Sequence, residues 1–153
     1  QIELLKKYVK QDIVINQLQL SITNAHMISS GANVNIENKD GINCDGYVRD
    51  YCRLNNSTIQ PWSPLQKGFI DGPFLGNEEY SEINNTLKEM AEKYGVTDTG
   101  MAIAWLLRLP DKMQPIVGST NLDRIKQISD AADITISAED WYKLYLAAGY
   151  KLP

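Results

Sequence analysis

One polar turn, residues 118–121 (GSTN), combines a flexible backbone with two hydroxyl groups and follows the apolar run 115–117. Apolar residues recur after it with helical spacing, so a helix is predicted to begin there. Free N–H groups at the start of a helix attract anions, and Arg124 in the first turn can hold a phosphate through two parallel hydrogen bonds. An ordinary helix N-cap explains the turn equally well. Both interpretations, phosphate site and simple cap, stay open at this point.

A second turn carries a large aromatic ring, since Trp62 lies near the end of a short predicted strand at 59–63 and is followed by Ser63 and Pro64. The ring could stack on a planar ligand or pack in the core. Proline restricts the residue before it, so Ser63 is predicted to be extended. The residues that could approach a phosphate there are Ser63, Leu65, Lys67 and Gly68.

A third group of candidate binding residues consists of amides, because Asn16 and Gln17 interrupt the β-branched run 13–20. An amide at the end of a buried strand needs both a donor and an acceptor, which either the protein or a ligand must supply. We expect protein partners more often than a ligand at such a position.

These residues need parallel strands to bring them together. Strands are predicted at about 13–20, 59–63 and 115–118, with helices between them, which indicates an α/β fold with right-handed crossovers. Helices are predicted from Ser81 to a stop at Gly95, from a cap at Thr97, and from Ser137. The polar residues follow the carboxyl ends of the strands, where open α/β sheets and (β/α)8 barrels bind ligands.

A long loop is predicted at 21–46, which is rich in Asn, Gly and Ser. It contains His26, the sole histidine of the sequence. Without acidic or cysteine neighbours at ligand spacing, His26 is interpreted as a loop residue and not as a metal ligand or catalytic base.

Composition narrows the class of protein. The 153 residues are 43% hydrophobic and 22% charged, as expected for a folded domain with a sizeable core. A net charge of −4 argues against non-specific binding to nucleic acid or anionic membranes. The sequence shows neither a signal peptide nor an apolar run near 18 residues, so the cytoplasm is the predicted location.

Taken in order, these motifs resemble the aldo-keto reductases. The matching segments are Gln17, residues 62–65 (WSPL), 91–97 (AEKYGVT), 102–108 (AIAWLLR), and 115–121 (PIVGSTN) with Arg124. The resemblance implies a (β/α)8 TIM barrel that binds NADP(H), with this chain matching its last three strands and their helices. A barrel needs about 250 residues, so residues 1–153 are expected to form a single partial domain, the C-terminal part of such a barrel.

The resemblance also implies roles at the nicotinamide end of the cofactor. Gln17 would hydrogen-bond the carboxamide, and Trp62 would stack on the ring. The pyrophosphate would be lined by Ser63, Leu65 and the backbone near Lys67 and Gly68.

At the adenosine end, the resemblance implies that the 2′-phosphate is held by Ser119, Asn121 and Arg124. Gln127 matches a position that often contacts adenine. Many members carry lysine where this chain has Gly118, which removes part of the expected phosphate contact.

The implied activity of the intact protein is NADP(H)-dependent reduction of aldehydes or ketones, small molecules with a carbonyl group. The family's general acid is a tyrosine assisted by Asp, Lys and His, none of which has a counterpart here. This chain alone is therefore expected to carry the cofactor part and to be inactive. Its sheet edges would be covered by the missing N-terminal half of the barrel or by another chain. The alternative is a non-catalytic nucleotide-binding or assembly module, a half-barrel that pairs with another chain.

Overall fold

The computed structural model describes residues 1–32, 47–68 and 71–152. The helices are α1 (Ile2–Leu5), α2 (His26–Ala32), α3 (Val48–Leu54), α4 (Ser81–Tyr94), α5 (Asp98–Leu107), α6 (Leu122–Asp130) and α7 (Ala138–Ala147). The strands are β1 (Ile15–Gln19), β2 (Thr58–Trp62), β3 (Gln66–Gly68) and β4 (Gly72–Pro73). Within these ranges no helix is long and apolar enough to cross a membrane.

The two longer strands pair in parallel, with Ile15 opposite Thr58 and Gln19 opposite Trp62. Helices lie between β1 and β2 in the chain, as the alternating pattern predicted. The short strands β3 and β4 form an antiparallel hairpin directly after β2. The hairpin is tied to the segment after β1, because the Ser21 hydroxyl donates to the Gln66 carbonyl at 2.6 Å.

The third predicted strand differs from its expected position, 115–118. An extended segment does run beside β2, but its pairing begins earlier: Ile59 donates to the Lys112 carbonyl at 2.8 Å, and Gln114 donates to the Ile59 carbonyl at 3.0 Å. A parallel bridge joins Ile59 to Met113. The Ile116 N–H then donates to the Pro61 carbonyl at 2.9 Å, and Pro61, which has no N–H, cannot add the next bond of this ladder. The segment therefore follows the predicted direction, with its pairing to β2 at residues 112–116.

One face of the strands is buried: Ile59 and Pro61 lie on it, and α3 packs against β2. The largest fully buried side chain, Trp105 of α5, lies in the apolar core with Leu20 and Ile22. The other face of the strands carries Ile15, Gln17 and Gln60, which are exposed or half-buried. This alternation follows from the period of two along a strand, and it leaves the polar side chains on an open face.

The ends of the helices agree with the sequence predictions. Gly95 ends α4 with a φ of 68°, a left-handed conformation that glycine adopts without steric cost. The Thr97 hydroxyl accepts from the Gly100 N–H at 3.0 Å and caps α5. Ser137 caps α7 by accepting from the Asp140 N–H at 3.1 Å. These local signals were sufficient because each cap involves residues three positions apart.

Two local predictions were wrong. The predicted loop 21–46 begins with a helix, since His26 is the first residue of α2; the remainder, residues 33–46, lies outside the described residues. Ser63 was predicted to be extended but has a φ of 50°. In this turn the Ser63 carbonyl accepts from the Gln66 N–H at 3.0 Å, so the hairpin connection overrides the local preference before proline.

Candidate functional site

A cavity of about 530 Å³ lies at the carboxyl ends of β2 and the neighbouring extended segment. The predicted site residues that line it are Trp62, Ser63, Leu65, Gly118, Ser119 and Arg124. Its wall is completed by Pro64, Gln66, Pro73, Ile116, Val117 and Ile128. Two segments about fifty residues apart in the sequence thus line one cavity. It lies at the edge of the sheet where parallel α/β folds bind ligands.

Arg124 is the cationic side chain of this lining. It lies in the first turn of α6 and is exposed. Within the described part of the chain, no hydrogen bond or ion pair engages its guanidinium group. The planar group therefore keeps its donors for an anion in the cavity, and the N-terminus of α6 adds a partial positive charge nearby.

The cap of α6 uses polar atoms that were predicted to hold a phosphate. The Asn121 Oδ1 accepts from the Arg124 N–H at 3.0 Å, and the Ser119 Oγ accepts from the Asn121 N–H at 3.2 Å. The simple cap is therefore present. It does not exclude an anion, because the Ser119 hydroxyl hydrogen and the Asn121 Nδ2 group remain able to donate.

The opposite wall is formed by the turn after β2. Trp62 and Ser63 are half-buried there, and Pro64 is buried. The left-handed conformation of Ser63 turns the chain sharply between the strand and the hairpin. An indole ring at such a rim offers a flat face for a planar ring.

Other predicted residues lie outside the cavity lining. The Lys67 ammonium donates to the Thr23 carbonyl at 3.0 Å and so fastens the hairpin. Gly68 lies in β3, where the carboxylate of Asp71 occupies the space that a Cβ would need. Gln127 is half-buried on α6. Asn121 contributes through the cap described above.

Gln17 also lies outside the lining, on the open face of β1. Its Nε2 donates to the Gln60 Oε1 at 2.9 Å, and the Gln60 Nε2 donates to the Gln114 Oε1 at 2.8 Å. Gln60 and Gln114 were not singled out in the sequence. A usable signal existed for Gln60, which lies two positions before Trp62 and therefore shares its face of the strand. Gln114 could be found only from the register of the extended segment that runs beside β2.

A sequence model described as the aldo/keto reductase family matches residues 1–145. The chain belongs to the aldo/keto reductase family. A 6-dehydroglucose reductase of Agrobacterium fabrum (strain C58 / ATCC 33970) is 30% identical over 147 residues, which cover 95% of this chain and 42% of that protein. The family resemblance read from the sequence is thereby confirmed.

Solved structures share the fold. MGS-M4, an aldo-keto reductase from a Medee basin deep-sea metagenome library, is 25% identical with a TM-score of 0.61, covering 97% of this chain and 45% of its own. A mutant of Gox0644, solved in complex with NADPH, has a TM-score of 0.59 at 18% identity, and the match covers 95% of this chain and 42% of that chain. The chain thus spans less than half the length of these relatives. Its α/β architecture with parallel strands corresponds to part of a TIM barrel.

Proposed function

We propose that this chain holds NADP(H) in the cavity between Trp62 and Arg124, as the cofactor-binding part of an oxidoreductase that reduces aldehydes or ketones. One observation carries the proposal: the turn after β2 and the turn before α6 line a single cavity of about 530 Å³. That volume lies within the range of small-molecule sites. Membership of the aldo/keto reductase family and the NADPH complex of Gox0644 support the choice of cofactor.

The lining fits a phosphorylated dinucleotide. Arg124 supplies an exposed guanidinium at a helix N-terminus, a combination that favours phosphate. Trp62 supplies a flat ring at the other wall. Ile116 and Ile128 add apolar side chains to the lining. In this assignment Ser119 and Asn121 add donors to the 2′-phosphate, and Gln127 approaches the adenine.

When bound, NADPH supplies the hydride that reduces a carbonyl carbon. In the proposed site, Trp62 orients the nicotinamide ring, Gln17 hydrogen-bonds its carboxamide, and Ser63 and Leu65 border the pyrophosphate. The proton for the carbonyl oxygen would come from a general acid, and no residue of this chain is assigned that role. We therefore expect the chain alone to bind the cofactor without turnover.

The experiment that tests the proposal is a calorimetric titration of the 153-residue chain with NADPH and with NADH. Arg124→Ala should weaken NADPH binding about tenfold or more and change NADH binding less than about twofold, because only NADPH carries the 2′-phosphate. The matched control is Lys126→Ala, which removes an exposed charge of α6 outside the cavity lining. If Arg124→Ala keeps NADPH affinity within about a factor of two, the assignment of Arg124 is wrong.

The open sheet face favours a second candidate function, a nucleotide-binding or assembly module that pairs with another chain. Val14 and Ile15 are 61% and 43% exposed at β1. Among the described strands β1 pairs only with β2, and an unpaired strand edge is a template for pairing. The N-terminal half of a barrel would cover the same face. Sedimentation of the chain separates the outcomes: a stable, monodisperse monomer would count against edge pairing.

A further inference from the structure

We propose that Gln60 and Gln114 are positioning residues that orient the Gln17 amide, so that its carbonyl oxygen accepts a hydrogen bond from the carboxamide NH2 group of the nicotinamide. The proposal rests on the proposed function and deepens it. It concerns the three-residue row Gln17, Gln60 and Gln114, here called the glutamine ladder.

The ladder has a fixed geometry because its members come from three neighbouring parallel segments. Gln17 and Gln60 are partners in the β1–β2 register. The Gln17 Nε2 donates to the Gln60 Oε1 at 2.9 Å, and the Gln60 Nε2 donates to the Gln114 Oε1 at 2.8 Å. Each amide has a donor end and an acceptor end, so all members of the row must point the same way. The amide orientations of Gln17, Gln60 and Gln114 are therefore coupled, and a reversal at Gln114 reverses Gln17 as well.

The ladder ends at an atom available for a ligand. Within the described part of the chain nothing donates to the Gln17 Oε1, although its Nε2 is engaged. An acceptor presented in this way suits the NH2 group of a carboxamide. It does not suit an acetyl group, which has a carbonyl but no donor.

The ladder also lies beside the proposed nicotinamide position. Gln60 precedes Trp62 by two residues, so the side chains share one face of β2 and lie about 7 Å apart along the strand. Gln19, the register partner of Trp62, donates from its Nε2 to the Lys67 carbonyl at 3.3 Å. A carboxamide that extends from a ring on Trp62 toward the strand interior would therefore meet Gln17.

The test reverses the direction of the hydrogen bonds along the glutamine ladder. Gln114→Glu can only accept, which keeps the present direction, whereas Gln114→Lys can only donate, which turns the Gln60 and Gln17 amides around. Gln114 is exposed, so both side chains fit without repacking. The controls Thr58→Glu and Thr58→Lys place the same charges on β2, at a half-buried residue two positions before Gln60.

The readout is the ratio of dissociation constants for reduced 3-acetylpyridine adenine dinucleotide phosphate and for NADPH, measured on the 153-residue chain. We expect NADPH to be preferred about three- to tenfold by the unaltered chain, by Gln114→Glu and by both Thr58 controls, as one neutral hydrogen bond provides. Gln114→Lys should bring the ratio close to one. Nitrogen-15 NMR should show a shifted Gln17 side-chain amide in Gln114→Lys without any cofactor.

Failure of this inference is distinguishable from failure of the proposed function. Adenosine 2′,5′-bisphosphate, which lacks nicotinamide, should bind the unaltered chain and all variants equally. If it binds so while Gln114→Lys keeps the original ratio, the positioning role is overturned and the cofactor site stands. If neither NADPH nor the bisphosphate binds the unaltered chain at millimolar concentration, the proposed function fails, and this inference fails with it.

Discussion

The indole N–H of Trp105 donates to the Trp141 carbonyl at 3.1 Å, and the indole N–H of Trp141 donates back to the Trp105 carbonyl at 3.0 Å. The two rings stack with centroids 4.8 Å apart. This reciprocal pair joins α5 to α7 and is continued by the ring of Tyr145, which stacks on Trp141. The pair thereby fixes α5 against α7, with Trp105 fully buried in the core.

Trp141→Phe should lower the free energy of unfolding by about 1 to 3 kcal/mol, because it removes one donor of the pair and leaves the buried Trp105 carbonyl without that partner. Urea denaturation followed by circular dichroism measures the change. Tyr142→Phe is the matched control, since the Tyr142 ring lies beside Trp141 but is half-exposed; it should shift the midpoint little. Equal losses in both variants would contradict the role of the indole N–H.

Stability should fall as acid protonates Asp140. The Lys93 ammonium, 2.8 Å away, and then the hydroxyls of Tyr94 and Ser137 lower the pKa of Asp140 from 3.8 to about 2, against the opposing effect of burial. A carboxyl group with a lowered folded-state pKa stabilises the fold above its unfolded-state pKa. This contribution is therefore complete above about pH 5 and is lost as the pH falls from about 4 through 2.

Asp140→Asn should remove that part of the acid dependence and cost about 1 to 2 kcal/mol at pH 7, after allowance for the exposure of Lys93 to solvent. Unfolding curves between pH 2 and 7 measure it. Glu139→Gln is the control, because Glu139 is an exposed carboxyl in the same helical turn. An unchanged slope below pH 4 in Asp140→Asn would refute the assignment to Asp140.

The sequence was most informative where structure depends on near neighbours. The caps at Thr97 and Ser137 and the stop at Gly95 each follow from residues within one helical turn. The helix that begins at His26 was missed because Asn and Ser dominate the segment around it, and these residues favour turns over helix interiors. Its packing against the rest of the fold outweighs that preference.

The candidate site was predicted in its residue types but not in its contacts. Motif order pointed to Trp62 and Arg124, and both line the cavity. The glutamine ladder depends on the register of β1 and β2, and a one-residue slip would move Gln17 to the opposite face. Such long-range alignment leaves no local signal, so Gln114 could not be found from the sequence alone.

Ser63 is the position where local preference and tertiary structure disagree. Its φ of 50° is left-handed and precedes a proline. Ser63→Gly should keep the free energy of unfolding within about 1 kcal/mol, because relief of the strain offsets the added freedom of the unfolded chain. Ser63→Val should lower it by about 1 to 3 kcal/mol, since a β-branched residue is strained in that conformation. Urea midpoints compare the two, and equal stability would show that the turn relaxes.

Gly118 offers a direct way to strengthen the proposed phosphate contact. A Cβ built on Gly118 meets no heavy atom within 4 Å among the described residues beyond its own neighbours in the chain, and its φ is not in the left-handed range. Gly118→Lys should therefore fit without strain and add an ammonium group beside Arg124 in the cavity lining. We expect NADPH to bind about three- to tenfold more tightly, and NADH to change less than about twofold, because the 2′-phosphate is the added partner.

Salt dependence separates this local contact from a general charge effect. Thr120→Lys places the same charge two residues away on an exposed position outside the cavity lining. Both variants should lose part of any gain at about 0.5 M salt, where exposed charges are screened within a few ångströms. Only Gly118→Lys should retain a preference for NADPH over NADH, since a phosphate held between Lys and Arg124 is paired at contact distance and less screened. If Thr120→Lys raises NADPH affinity as much as Gly118→Lys, the phosphate does not lie at the turn before α6.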